Sequence, residues 1–144
     1  MKIFSMPKDG WVNINIEGYE YVIVASYLTD VPMDFLNAII AHLKYGIPFS
    51  VFVDEEGSED LISLTGNLLV ISLLQETKVI SCKTINIDNT TFIREVLLGI
   101  EEYFDSWVGW FGCFLDNDEE MMKNRAIQLK EKLDEAKELA KNNL

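Results

Sequence analysis

The stretch from Pro48 to Ile87 admits few readings other than a run of antiparallel strands. The segments PFSVFVD, DLISLTG, NLLVISLLQ and KVISCKTINI follow one another with only short polar breaks. In the first, Phe49, Val51 and Val53 alternate with Ser50 and Phe52, the period of a half-buried strand. Glu55–Asp60 (EEGSED) has the charge and the glycine of a hairpin loop. Gly66–Asn67 is a two-residue turn of the kind that matches strand twist. Leu68–Leu74 is apolar on both faces. Such a strand is central and covered on both sides, or it is covered on one side by a partner.

Upstream, Lys2–Ser5 is a candidate short strand ended by Pro7–Gly10. Trp11–Glu17 alternates, with Val12, Ile14 and Ile16 on one side. Tyr19–Leu28 returns after the Glu17–Gly18 turn, with Tyr19, Tyr21, Ile23, Ala25 and Tyr27 aligned. This hairpin is expected to join the main sheet. Thr29–Asp30 offers an N-cap and Pro32 suits a first helical turn, where its missing N–H costs nothing. Phe35, Leu36, Ile39, Ile40 and Leu43 then form a helical stripe that ends at Gly46 and Pro48. His42, the only histidine, flanks that stripe and reads as a boundary residue rather than a base or ligand.

Downstream, Asp88-Asn89-Thr90-Thr91 holds N-cap candidates for a second helix. Its stripe runs Phe92, Ile93, Val96, Leu97, Ile100, Tyr103, Phe104 and Trp107, opposite the acids Glu95, Glu101, Glu102 and Asp105. Trp110, Phe111, Phe114 and Leu115 would extend the stripe if the helix continued, but Gly109 and Gly112 predict a break or loosening. Asn117 with Glu120 resembles a capping box for a last helix over 118–142. There Met122, Ala126, Leu129, Leu133, Ala136 and Ala140 form a narrow seam. A seam that slim suits one neighbour: the second helix, or the same helix of another copy. The expected organisation is therefore an α+β domain over 1–115, with an antiparallel sheet of about five or six strands packed by amphipathic helices, and a C-terminal helix over 116–144.

Charge narrows the partners. The chain has 24 acids against 12 bases, and residues 1–115 hold 16 and 6 of these. So acidic a body is expected to repel nucleic acid and anionic lipid; its acidity either attracts a basic protein or simply keeps the chain soluble. A hydrophobic content of 49% argues for a folded chain. No apolar run is long enough to span a bilayer and the N-terminus lacks the apolar region of a secretion signal, so a cytoplasmic place is expected. Cys82 and Cys113 fit no metal or redox spacing and read as reduced thiols.

Carboxylates are the only abundant reactive groups. Asp54, Glu55, Glu56, Glu59 and Asp60 share one hairpin tip, whose DEEGSED lacks the register of a calcium loop and reads as a solvated charged turn. No Walker loop, GxGxxG, GxSxG or HExxH is present, and nothing pairs carboxylates across a cleft. Neither catalysis, nor a metal, nor a cofactor is expected. Trp107 and Trp110 are either core or, beside a ring of acids, the centre of a docking patch.

The order of a strand hairpin, Ser26–Asp30 (SYLTD), an amphipathic helix, Phe52–Gly57 (FVDEEG), a meander, Phe92–Leu97 (FIREVL) and a Trp-containing end resembles the immunity-type proteins that bacteria encode beside polymorphic toxins. The resemblance covers about residues 11–111 as an arrangement of elements, and it leaves the 118–142 helix unmatched. It implies a cytosolic inhibitor that binds a toxin and blocks its active site or substrate surface without catalysing anything. On that reading, Asp54, Glu55, Glu56, Glu59, Asp60, Glu95, Glu101, Glu102 and Asp105, with Trp107 and Trp110, meet a basic partner. The alternative is a homo-oligomeric scaffold, such as a homodimer, joined through Met122, Leu129, Leu133 and Ala136 or through the Trp107–Leu115 patch.

Overall fold

A computed structural model describes residues 2–112 and 118–144. The meander forms as its alternation requires. β3 (Phe49–Asp54), β4 (Glu59–Thr65), β5 (Leu68–Gln75) and β6 (Lys78–Asn86) make one antiparallel sheet in chain order. Phe49, Val51 and Val53 of β3, Ile62 and Leu64 of β4, and Leu69 and Ile71 of β5 are buried. They share one face by register. On the other face Phe52, Leu61, Ser72 and Cys82 stand in one cross-strand row. A bulge between Leu73 and Leu74 leaves Ile80 as the extra residue of β6.

Helices close only the first of these faces. α1 (Val31–Tyr45) buries Phe35, Leu36, Ile39 and Ile40, and Gly46 ends it in the left-handed conformation at φ 71°. α2 (Asn89–Glu102) is capped by Asp88, whose carboxylate accepts the Thr91 backbone N–H at 2.8 Å and the Thr91 hydroxyl at 2.7 Å. An aromatic chain ties both layers together. Trp110, Trp107, Phe4, Phe35, Phe49 and Phe92 succeed one another at centroid distances of 5.2–5.6 Å. Edge-to-face pairs of this kind add about 0.5–1.5 kcal/mol each beyond the area they bury.

Three expectations are revised. The N-terminal hairpin, β1 (Trp11–Ile14) and β2 (Ile23–Ser26), forms a separate two-stranded sheet instead of joining the meander. Its link to β3 is a side chain: Glu55 Oε1 accepts the Val24 N–H at 2.9 Å. The Lys2–Ser5 strand reduces to a single bridge, Phe4 to Ile14. The second helix yields at Tyr103, before the glycines, and resumes as α3 (Phe104–Val108). The Trp107 indole then donates to the Gly99 carbonyl at 3.2 Å. Phe114 and Leu115 lie outside the described residues.

The last helix, α4 (Glu119–Asn143), starts from Asp118, whose carboxylate accepts the Met121 N–H at 2.9 Å. The proposed cap at Asn117 lies outside the described residues. Leu129, Leu133, Ala136 and Ala140 are buried and Met122 packs against the same core. Their neighbours are α1, α2 and α3 of the same chain. Of the two expected neighbours, the seam of α4 packs on helices of its own chain. Arg125 fastens it: the guanidinium grips Asp30 through two bonds of 2.9 and 3.0 Å and donates to the Trp107 and Val108 carbonyls at 3.0–3.3 Å. Asp30, expected as a helix cap, makes no capping bond because its carboxylate is committed to this pair.

Candidate functional site

The acidic hairpin tip separates into parts with different environments. Asp54 and Glu59 lie opposite each other on the outward face. Asp54 also accepts the Glu56 N–H at 2.6 Å, which fixes the turn. Glu56 sits exposed at φ 58°. Asp60 is the exception to a solvated turn: it points to the inward face and is only 2% exposed. Its register partner is Leu73, which in turn opposes Ser81.

These inward residues form the floor of a cleft of about 470 Å³, roofed by the β1–β2 connection. Tyr19, Tyr21, Val22, Ile23, Glu55, Ser58, Asp60, Leu73, Ile80, Ser81 and Lys83 line it. The Glu55 carboxylate is held by the Val24 N–H and, at 3.5 Å, by the Ser58 hydroxyl. It lies within hydrogen-bonding reach of Asp60. Two adjacent negative charges in a desolvated place repel, so the Glu55 carboxylate opposes ionisation of Asp60. Burial, then Glu55, then Glu59 push the Asp60 carboxyl up to about 8. Oδ2 of Asp60 is buried and meets no donor of the protein. Burial, with the nearby Asp60 and Glu55 charges, also raises the Tyr19 phenol.

The residues lining the cleft include no histidine or cysteine. His42 sits elsewhere. Its Nδ1 donates to the Ile47 carbonyl at 2.9 Å and its Nε2 faces the Asn89 amide at 3.5 Å. It joins the end of α1 to the start of α2, as a boundary residue. Among the described residues no group of three or more His, Cys, Asp or Glu side chains could hold a metal ion.

The remaining site candidates are not brought together. Glu101 pairs with Lys137 at 2.7 Å and Glu102 with Lys2 at 3.0 Å. Glu95 is half-buried and Asp105 exposed, all four within the helical layer. Trp107 and Trp110 are 0% and 1% exposed, so they are core and no docking patch forms around them. The Trp110 indole is satisfied by the Thr29 carbonyl at 2.8 Å.

What the structure does offer a partner is the outward face of the sheet. Phe52 is 45%, Leu61 36%, Leu68 43% and Val79 62% exposed, with Val70 and Leu74 half-buried between them. Ser50, Ser63, Thr65, Ser72, Cys82, Thr84 and Asn86 fill the other outward positions. Every charge on this face is confined to one end, at Asp54 and Glu59. Water-facing sides of antiparallel sheets ordinarily carry charged and polar residues, whereas interface centres are depleted of charge. The free edge is guarded differently: β6 has a bulge together with Lys78 and Lys83, features that discourage strand addition.

Compared with known proteins, the chain matches no family model, no curated protein and no solved structure. Among the described residues no helix is long and apolar enough to cross a membrane.

Proposed function

We propose that this is a non-catalytic binding protein that masks a basic partner protein, in the manner of an immunity-type inhibitor, through the outward face of the β3–β6 sheet. The observation that carries the reading is the uncharged, partly apolar face left uncovered by the helices. β5 is apolar on both sides and the chain covers only one of them.

Charge supports a basic partner. Asp54, Glu56 and Glu59 rim one end of the face, Glu76 sits in the turn beside them, and the whole chain carries −12. An acidic rim speeds the approach of a basic protein, while the apolar centre, led by Phe52 and Leu61, holds it. The inhibitor therefore works by occlusion. A homodimer through the C-terminal seam is not favoured, since Leu129, Leu133 and Ala136 pack on their own domain.

The experiment is affinity capture from the native host with the tagged chain, run beside two variants. One basic protein recovered near stoichiometry, released by high salt, lost with Phe52→Ser/Leu61→Ser and kept with Glu101→Gln/Glu102→Gln supports the reading. Capture indifferent to the sheet variant, or recovery of untagged self alone, rejects it.

A further inference from the structure

The cleft beneath the β1–β2 connection lies on the opposite side of the sheet from the outward face, so what it does is separate from partner masking. We propose that it binds an organic monocation, a guanidinium or primary ammonium group, held by Asp60 and Glu55 with Tyr19 and Tyr21 as its aromatic wall.

Space comes first. A cleft of about 470 Å³ has room for a small organic group. Next is an unmet polar group: Asp60 lines the cleft, and its buried Oδ2 has no hydrogen-bond partner in the protein. Buried polar atoms are ordinarily paired, and a ligand with several N–H groups supplies what is missing. The walls agree. Tyr19 and Tyr21 meet edge to face at 5.7 Å, and aromatic faces attract cations most strongly where water is scarce. An anion would meet Glu55 as well as Asp60. Lys83, the one cation lining the cleft, is directed to Glu20 at 3.9 Å.

Binding is coupled to a proton. In the free cleft the Asp60 carboxyl keeps its proton near neutral pH. The incoming cation takes over the proton's role of neutralising it, so about one proton leaves for each cation bound near neutral pH. With Asp60 titrating at about 8, affinity rises about tenfold per pH unit up to that value and then levels off. The other titratable and charged groups lining the cleft are Tyr19, Tyr21 and Lys83, and Glu59 acts on Asp60 from the other face of the sheet.

The test is calorimetry with butylguanidinium and with a short uncharged-ended peptide holding a single arginine, at pH 6, 7 and 8 in buffers of different ionisation enthalpy. Butylurea serves as the neutral control. Saturable one-site binding of either cation, with proton release, a gain of about tenfold per pH unit, and loss in Asp60→Asn but not Asp54→Asn, supports the site. Binding by butylguanidinium alone identifies a free small molecule as the source. Binding by the peptide identifies a protein side chain. Absence of binding by both cations, equal binding of butylurea, or binding unchanged in Asp60→Asn and Glu55→Gln overturns the proposal.

Discussion

Asp60→Asn removes a charge while keeping the side chain's shape, and its effect on stability has a definite dependence on pH. The ordinary carboxyl value is 3.8 and burial beside Glu55 pushes it to about 8. Between these values the folded chain keeps a proton that the unfolded chain has released. Stability therefore falls as pH rises, by about 1.4 kcal/mol per unit. From pH 5 to pH 8 the loss approaches 4 kcal/mol as an upper figure, a large part of the roughly 5–15 kcal/mol that holds a domain together. Asparagine has no proton to lose, and its amide can donate to Glu55. Urea unfolding across this range should show the variant several kcal/mol more stable than the parent near pH 8, and equal to it within about 1 kcal/mol near pH 4. Parallel pH profiles for the two chains would refute the account of a raised Asp60 carboxyl in the cleft.

Other outcomes follow from single contacts. Arg125→Lys should cost about 3 kcal/mol in urea unfolding, because an ammonium cannot grip Asp30 with two bonds while also serving the Trp107 and Val108 carbonyls. Gly99→Ala should cost about 1–3 kcal/mol, since the added methyl would lie 2.6 Å from Cδ2 of the buried Phe4 ring. Thr77→Gly should raise stability by about 1 kcal/mol, because this β-branched residue is held at φ 66° in the β5–β6 turn. Phe52→Ser/Leu61→Ser should change stability by no more than about 1 kcal/mol while weakening partner capture at least tenfold, since both side chains face solvent in the free chain.

Local periodicity was enough to locate the meander, α1, α2 and α4. Period-two alternation, Gly46 and the Asp88 cap each act within a few residues, and those elements begin where the pattern places them, although α2 ends at Glu102, short of its stripe. What escaped the sequence depends on distant partners. Arg125 lies off the apolar seam of the last helix, and only the return of α4 brings it to Asp30, 95 positions away in the chain. Asp60 belonged to an acidic run, yet register turns it inward while its neighbour Glu59 faces out. Alternation alone could have separated those two, because Asp60, Ile62 and Leu64 share a parity. The seam of α4 showed correctly that the helix packs along a narrow line. It could not say whose surface met it, and the domain's own α1 does so. The double-sided apolarity of β5 left open whether helices or a partner covered the second face, and the helices cover one.

The outward sheet face is tested most directly at Cys82, which stands exposed in the row of Phe52 and Leu61. With Cys113→Ser removing the other thiol, the rate of Cys82 alkylation is measured for the chain alone and with its captured basic partner. The account expects alkylation to slow at least tenfold in the complex and to recover when salt releases the partner. An unchanged rate in a complex shown to be intact would place the partner elsewhere and contradict it.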